Sequence, residues 1–102
     1  MNQIIHRTEM ISYDYFASFG FERDQVDATV SKGLNELENS FEELRKSAEG
    51  AYDFDSVDRT LHTIKGLLFQ LGNEEDGERV ETLRREISAG NYREKISELL
   101  HS

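Results

Sequence analysis

The sequence predicts an all-α fold, and three observations lead to this prediction. The 102-residue chain contains no proline, so only glycine and capping residues interrupt its helices. Glutamate, leucine, lysine and arginine are frequent, and all four favour helices. Apolar residues recur every three or four positions, which is typical of helices with one buried face. We therefore expect an antiparallel up-down four-helix bundle with a short N-terminal cap helix, built from a single domain over residues 1–102.

The cap segment covers about residues 1–20 and is rich in aromatic side chains. We expect a short helix that starts near Ser12 and packs across one end of the bundle, with a turn at Gly20. The first bundle helix is predicted over about 22–48, where apolar residues follow one another at spacings of 4, 4, 3, 4 and 3, and Gly50 ends it. Its stripe consists of Val26, Val30, Leu34, Leu37, Phe41 and Leu44.

The second bundle helix is predicted over about 54–72, with Asp53 or Asp55 as its N-cap and Gly72-Asn73 as its stop signal. Its apolar residues are Phe54, Val57, Leu61, Ile64, Leu68 and Leu71. The remaining helices are predicted over about 74–89 and 91–101. An acidic run, residues 74–78, opens the third helix, where negative charge is favourable, and we expect it to be solvated.

Composition excludes several functions. A net charge of −9 argues against nucleic acid as a partner, because phosphate backbones require clustered lysine and arginine. The apolar runs are far shorter than the ~20 residues that cross a bilayer. The N-terminal residues lack the apolar block of a signal peptide. These features predict a cytoplasmic, monomeric protein that does not contact membranes.

The second bundle helix contains an unusual turn of His62, Lys65 and Gly66. At 100° per residue, His62 lies roughly 130° from the centre of the apolar stripe, and Gly66 lies almost opposite it. Lys65 and Phe69 fall on the flank between His62 and the core. Because an interior glycine costs about 1 kcal/mol relative to alanine, this turn is expected to face something other than the core.

These residue types suit phosphoryl transfer. A neutral imidazole is a competent nitrogen nucleophile at cell pH. The transition state of phosphoryl transfer is loose, so catalysis consists mainly of positioning and of neutralising charge on the oxygens. Lys65, one turn after His62, brings an ammonium beside those oxygens. Gly66 leaves room for the phosphoryl group or an approaching partner.

His62, Lys65 and Gly66, followed by Leu71 and Gly72, resemble the His-x-x-Lys-Gly…Leu-Gly motif of histidine-containing phosphotransfer (HPt) domains of two-component phosphorelays. The predicted order of helices is also similar to that family, so the resemblance covers nearly the whole chain. The family is a four-helix bundle with an exposed phospho-accepting histidine in the middle of a helix.

The resemblance implies that His62 is phosphorylated, that Lys65 neighbours the phosphate and that Gly66 provides clearance. It further implies partners that are receiver domains of response regulators or hybrid histidine kinases, with no cofactor or metal in this chain and no turnover of its own. Docking is expected to use the apolar surface around His62, including Phe69 and Leu67. The two residues after Gly66 are commonly small in this family, whereas here they are Leu67 and Leu68.

Two other functions are compatible with the sequence. One is an HPt-like binding module that regulates a kinase or a receiver by docking, without phosphotransfer. The other is a plain acidic interaction bundle in which the turn of His, Lys and Gly is coincidental. Asp58, one turn before His62, is expected to be a solvated charge rather than a hydrogen-bond partner of the imidazole. The sequence contains no nucleotide-binding glycine loop, no nucleophile elbow and no zinc motif.

Overall fold

The computed structural model describes residues 3–49, 54–88 and 90–101, and this part of the chain forms five α-helices and no strand. They are α1 (Gln3–Ala17), α2 (Arg23–Glu49), α3 (Phe54–Gln70), α4 (Glu74–Glu86) and α5 (Tyr92–Leu100). The all-α class is confirmed. The ends of α2 to α5 differ from the predicted ends by three residues or fewer. The predicted cap residues Gly50 and Asp53 lie outside the described residues, and Asp55 lies within the first turn of α3.

The core is shared by all five helices. α3 packs against α2 and α4, and α2 also packs against α1 and α5. Within the described residues, none of the helices combines the length and the apolar character needed to cross a bilayer. The most deeply buried large side chains are Ile4, Leu37, Leu44, Leu61, Ile64, Leu68 and Ile96.

Helix α1 is longer than predicted: it begins at Gln3 rather than near Ser12. Its buried face consists of Ile4, Thr8 and Ser12, one residue every four positions, and all three are fully buried. The sequence prediction missed the first half of this helix because two of the three buried residues are polar and therefore do not belong to an apolar stripe.

A cluster of polar residues, all of them buried except the partly exposed Arg7, holds α1 against the turn between α3 and α4. Arg7 donates from Nε and Nη2 to the two carboxylate oxygens of Asp76, at 3.1 and 2.9 Å. Asn73 Nδ2 donates to Thr8 Oγ1 and to Asp76 Oδ2, both at 2.8 Å. The hydroxyl of Ser12 donates to the main-chain carbonyl of residue 71 at 2.7 Å. We call this set the turn cluster; its members are Arg7, Thr8, Ser12, Asn73 and Asp76.

The acidic start of α4 was predicted to be solvated, and this prediction is wrong for Asp76. Its side chain is 3% exposed and accepts a further hydrogen bond from Arg79 at 2.8 Å. Burial disfavours the charged carboxylate, but the hydrogen bonds from Arg7, Asn73 and Arg79 outweigh burial and hold the pKa of Asp76 below its ordinary value. Its neighbours Glu74 and Glu75 are exposed, as predicted.

Helix α3 ends in a Schellman motif. The main-chain N–H of Asn73 donates to the carbonyl of Leu68 at 2.8 Å, and that of Gly72 donates to the carbonyl of Phe69 at 3.1 Å. Gly72 has a φ of +87°, and a Cβ built there would lie 2.4 Å from Cγ of Tyr15 on α1. Glycine is therefore required at position 72 both by the backbone conformation and by the close approach of α1.

Candidate functional site

His62 is exposed in the middle of α3, while Leu61, Ile64 and Leu68 of the same helix are fully buried. Gly66 follows His62 by one turn, and a Cβ built on it would meet no atom within 4 Å. The glycine is therefore not needed for packing. One face of α3 packs into the core, and the opposite face leaves open space beside the imidazole.

The neighbours of His62 come from two helices. Asp58 and Lys65 lie on α3 with it, and Glu81 and Arg84 extend from α4, which packs against α3. Salt bridges and one hydrogen bond to the imidazole join all five side chains. We call them the histidine cluster: Asp58, His62, Lys65, Glu81 and Arg84.

Arg84 is the centre of the histidine cluster. Its Nε and Nη2 donate to the two carboxylate oxygens of Asp58 at 3.1 and 3.3 Å. Its Nη1 donates to Glu81 Oε2 at 3.3 Å and lies 3.2 Å from Nδ1 of His62. The bonds to Asp58 raise the pKa of the guanidinium above its ordinary value, against the effect of partial burial. Arg84 is thus a fixed cation beside the imidazole.

Lys65 is paired rather than free. Its Nζ lies 2.9 Å from Glu81 Oε2, the same oxygen that accepts from Arg84. The hydrogen bond from Lys65 lowers the pKa of Glu81, and the charge of Arg84 lowers it further. The carboxylate of Glu81 therefore joins the two cations of the cluster to one another.

The sequence located only part of this cluster. His62 is exposed and Gly66 is open, as the helical wheel predicts. Asp58 was expected to be solvated, whereas it binds Arg84 with two hydrogen bonds. Glu81 and Arg84 were missed. Their spacing of three residues on α4 is the signal available in the sequence, but the register between α3 and α4 decides whether they meet His62.

The two predicted docking residues differ in exposure. Phe69 is 37% exposed, and its ring lies against Gly77 of α4, where a Cβ would come within 3.2 Å of it. Leu67 is 8% exposed and belongs to the core cluster. Contrary to the prediction, Leu67 offers a partner almost no surface. Leu68 points into the core, as the wheel predicts.

A group of aromatic rings lies where α1 meets the loop to α2. The ring of Tyr15 lies edge-on to those of Phe16 and Phe19, with centroids 5.1 and 5.0 Å apart, and Phe19 lies 6.3 Å from Phe21. The segment was expected to pack across the bundle, yet Phe19 is 60% exposed and Phe21 is exposed as well. The Tyr15 ring covers Gly72, so this aromatic group borders the C-terminal end of α3.

The histidine cluster lies on an outer surface rather than in a cleft. One surface groove runs between α4 and α5 and another between α2 and α5, and His62 lines neither of them. Within the described ranges, no group of three or more His, Cys, Asp or Glu side chains is arranged to hold a metal ion. An exposed imidazole with two flanking cations suits a reaction in which a partner supplies the concave half of the site.

Comparison of the chain with models of protein families, with curated protein sequences and with solved structures finds no match. The function is therefore inferred from the residues and the geometry of the site.

Proposed function

We propose that this chain is a histidine phosphotransfer protein that accepts a phosphoryl group on His62 from the aspartyl phosphate of a receiver domain and passes it to another receiver. The observation that carries this proposal is the exposed imidazole of His62, which has open space at Gly66 and the cations of Lys65 and Arg84 beside it. A surface that only binds a partner does not require an exposed imidazole with open space and cations beside it.

The proposed transfer is a displacement at phosphorus. An unprotonated ring nitrogen of His62 attacks the phosphorus atom, the acyl phosphate P–O bond breaks, and the aspartate leaves as a carboxylate. The proton on the other ring nitrogen is then released to solvent. The second transfer runs in reverse, with an aspartate of the accepting receiver as the nucleophile. Because each receiver supplies its own acidic site and metal ion, this chain needs no cofactor and has no turnover of its own.

The two cations have a direct use in this step. Charge in the loose transition state is spread over the three peripheral oxygens of the phosphoryl group, and nearby positive charge stabilises it. Glu81 holds Lys65, one helical turn from His62, and Asp58 holds Arg84 in contact with the imidazole, so both cations are in place before a partner arrives. Preorganisation of this kind avoids the cost of ordering them during the reaction.

The partner is proposed to dock on the apolar surface that includes Phe69. The exposed rings of Phe19 and Phe21 extend the apolar surface available near the end of α3. The net charge of −9 disfavours long-range attraction to acidic receivers, and screening over about 8 Å at physiological salt limits the repulsion. Short-range apolar contact is therefore the proposed basis of recognition.

The proposed architecture is that of the HPt resemblance: α2 to α5 form an antiparallel four-helix bundle, and α1 caps it. Short connections between α3 and α4 and the core residues shared by all five helices support this arrangement. A carrier between receivers is proposed to act in the cytoplasm as a monomer.

The test is a relay assay with radiolabelled receivers from the source genome. We expect label to pass from a phosphorylated receiver to this chain and on to a second receiver. The His62→Gln variant should carry no label, while the matched variant His6→Gln, which changes an exposed histidine of α1, should transfer as well as the unmodified chain. Gly66→Gln should block transfer without unfolding the protein, because its side chain enters the open space beside His62.

Two results would count against the carrier function. If every receiver leaves the folded chain unlabelled, but one of them binds it and binds the His62→Gln variant equally, the chain is a binding module that acts by docking. If no receiver binds it at all, the resemblance to HPt domains has no functional meaning.

A further inference from the structure

The contact between Arg84 and His62 determines which ring nitrogen carries the proton. A guanidinium has only donors, so Nδ1 of His62, 3.2 Å from Arg84 Nη1, must be the acceptor. The proton of the neutral ring then resides on Nε2. No hydrogen bond joins Nε2 to a described residue, so Nε2 is the nitrogen that a partner meets.

Two carboxylates hold Arg84 in this position while no partner is bound. Asp58 accepts two of its hydrogen bonds and Glu81 accepts a third, and the side chain is 22% exposed. The titratable groups linked to the imidazole through ion pairs of the described residues are Asp58 and Lys65 from α3 and Glu81 and Arg84 from α4. Of these, Arg84 alone is seen to contact the ring.

We propose that Arg84 is a positioning residue that keeps Nδ1 of His62 unprotonated and thereby prolongs the lifetime of the phosphohistidine. This inference rests on the proposed function. It concerns the interval between the two transfers, when the phosphoryl group must survive in water on an exposed side chain.

The chemistry of the phosphohistidine explains the effect. When the phosphoryl group is on Nε2, Nδ1 retains its lone pair and accepts from Arg84 as before. In hydrolysis, water attacks phosphorus, the P–Nε2 bond breaks, and its electron pair returns to the ring. The imidazole leaves readily only if Nδ1 gains a proton in the process. Because Arg84 donates to Nδ1, that proton cannot be added until the contact breaks.

The same contact must break when the phosphoryl group moves to a receiver. The forward attack by Nε2 requires its lone pair, and hence a proton on Nδ1, which is incompatible with a donor at that atom. Arg84 therefore restrains reaction in both directions while no partner is bound. When a receiver docks, the oxygens of the transferring phosphoryl group offer the guanidinium other acceptors, so Arg84 leaves Nδ1 and stabilises the charge of that group during transfer.

The test uses a background in which His6 and His101, both exposed, are changed to Gln, so that His62 is the only histidine. Potassium phosphoramidate serves as the donor: its P–N bond breaks, a P–N bond to the ring forms, and ammonia leaves. Decay of the phosphohistidine near neutral pH is followed by phosphorus NMR. We expect Arg84→Met to shorten the lifetime roughly tenfold, the size associated with losing one charge-assisted hydrogen bond.

The matched control is Arg85→Met, which removes the same charge from the next residue of α4, an exposed one. It should leave the lifetime within about twofold of the background protein, because charge alone acts weakly at an exposed site. Asp58→Asn keeps Arg84 but removes its anchor, so we expect an intermediate shortening. This second variant tests the inference even if Arg84→Met does not fold.

Nitrogen NMR of the imidazole gives a readout that a merely structural role would not change, and it requires no phosphorylation. In the background protein Nδ1 should give the signal of an unprotonated acceptor and Nε2 that of an N–H. In Arg84→Met both signals should move toward the mixture of tautomers of a free imidazole side chain, and in Arg85→Met they should not.

Equal phosphohistidine lifetimes for Arg84→Met and Arg85→Met would overturn the inference. So would a proton on Nδ1 when the His62 imidazole of the background protein is neutral. Failure of the relay assay combined with the expected lifetimes would overturn the proposed function and leave the role of Arg84 intact. If phosphoramidate modifies His62 in neither the background protein nor Arg84→Met, the proposed function is contradicted, and the nitrogen NMR alone decides the role of Arg84.

Discussion

The turn cluster and the histidine cluster both contain an arginine–aspartate pair, but the two aspartates differ in burial. In each, an arginine donates two hydrogen bonds to an aspartate on another helix, Arg7 to Asp76 and Arg84 to Asp58. The side chain of Asp76 is 3% exposed, and that of Asp58 is 40% exposed. The buried carboxylate of Asp76 must keep its hydrogen-bond donors, whereas water can solvate the carboxylate of Asp58 when a docking partner draws Arg84 away.

The energetic reason is solvation. A carboxylate removed from water must keep its hydrogen bonds, because loss of one partner leaves an uncompensated buried group. Asp76 meets this requirement with bonds from Arg7, Asn73 and Arg79. When an exposed ion pair separates, water takes over the hydrogen bonds of both side chains at little cost. The pair therefore contributes little to the free energy of unfolding. The same type of ion pair thus stabilises the fold at one place and, under the proposed function, positions the reacting histidine at another.

The largest expected effect is on the turn cluster. Asp76→Asn removes the charge that accepts from Arg7 and Arg79. We expect it to lower the free energy of unfolding by about 2–3 kcal/mol, because the buried amide cannot accept from Arg7, Asn73 and Arg79 together and leaves hydrogen-bond groups unpaired. Urea unfolding followed by circular dichroism measures the change. Glu74→Gln, two residues earlier and exposed, is the control and should change stability by less than about 0.5 kcal/mol.

Acid should weaken the turn cluster specifically. The folded-state pKa of Asp76 is lowered, so its contribution to stability is fully present above the unfolded-state value of about 3.9. That contribution is lost as the pH falls from there through the lower pKa of the folded state, because the unfolded chain binds the proton first. Urea unfolding at a series of acidic pH values should show a smaller loss of stability for Asp76→Asn than for the unmodified chain. Parallel losses in the two proteins would show that Asp76 is not the group responsible.

Two glycines of the α3 region extend the comparison. Gly72→Ala introduces a Cβ at positive φ and against Tyr15, so we expect a loss of about 2 kcal/mol. Gly66→Ala introduces a Cβ into open space on a helix, and we expect a gain of about 0.5–1 kcal/mol from helix propensity. Thermal unfolding measures both. A destabilised Gly66→Ala would make position 66 a packing site rather than a clearance site.

The smallest effect on stability is expected in the histidine cluster. Asp58→Asn removes the anchor of Arg84, yet the pair is exposed enough that the free energy of unfolding should change by no more than about 0.5 kcal/mol. The change should instead appear as faster decay of the phosphohistidine. A loss of stability as large as that of Asp76→Asn would remove the distinction between the two clusters.

The fold could be predicted from the sequence where apolar residues alone mark the buried face. The stripes of α2 and α3 are of this kind, and the ends of both helices lie within two residues of the predicted ones. The first half of α1 was missed because Thr8 and Ser12 are buried through hydrogen bonds rather than through hydrophobicity. Likewise, the burial of Asp76 depends partly on a donor that local sequence does not reveal, since Arg7 lies 69 residues away in the chain.

The candidate site also contains residues that the sequence could predict and residues that it could not. His62, Lys65 and Gly66 lie on one helix, and the geometry of a single helix suffices to bring them together. Arg84 and Glu81 could not be assigned to the site, because their contacts with α3 depend on how far α4 is shifted along it. Leu67 was assigned to the wrong surface, since a residue on the flank of a stripe becomes buried when a neighbouring helix covers that flank.

The central claim is that His62 carries a phosphoryl group, and direct mapping of the modified residue tests it most directly. The chain is incubated with each phosphorylated receiver of the source genome, and the site of modification is located by mass spectrometry under alkaline conditions, which preserve phosphohistidine. We predict that phosphate is found on His62 and that the exposed residues His6 and His101 remain unmodified. A folded chain that acquires no phosphate on His62 from any receiver would contradict the claim.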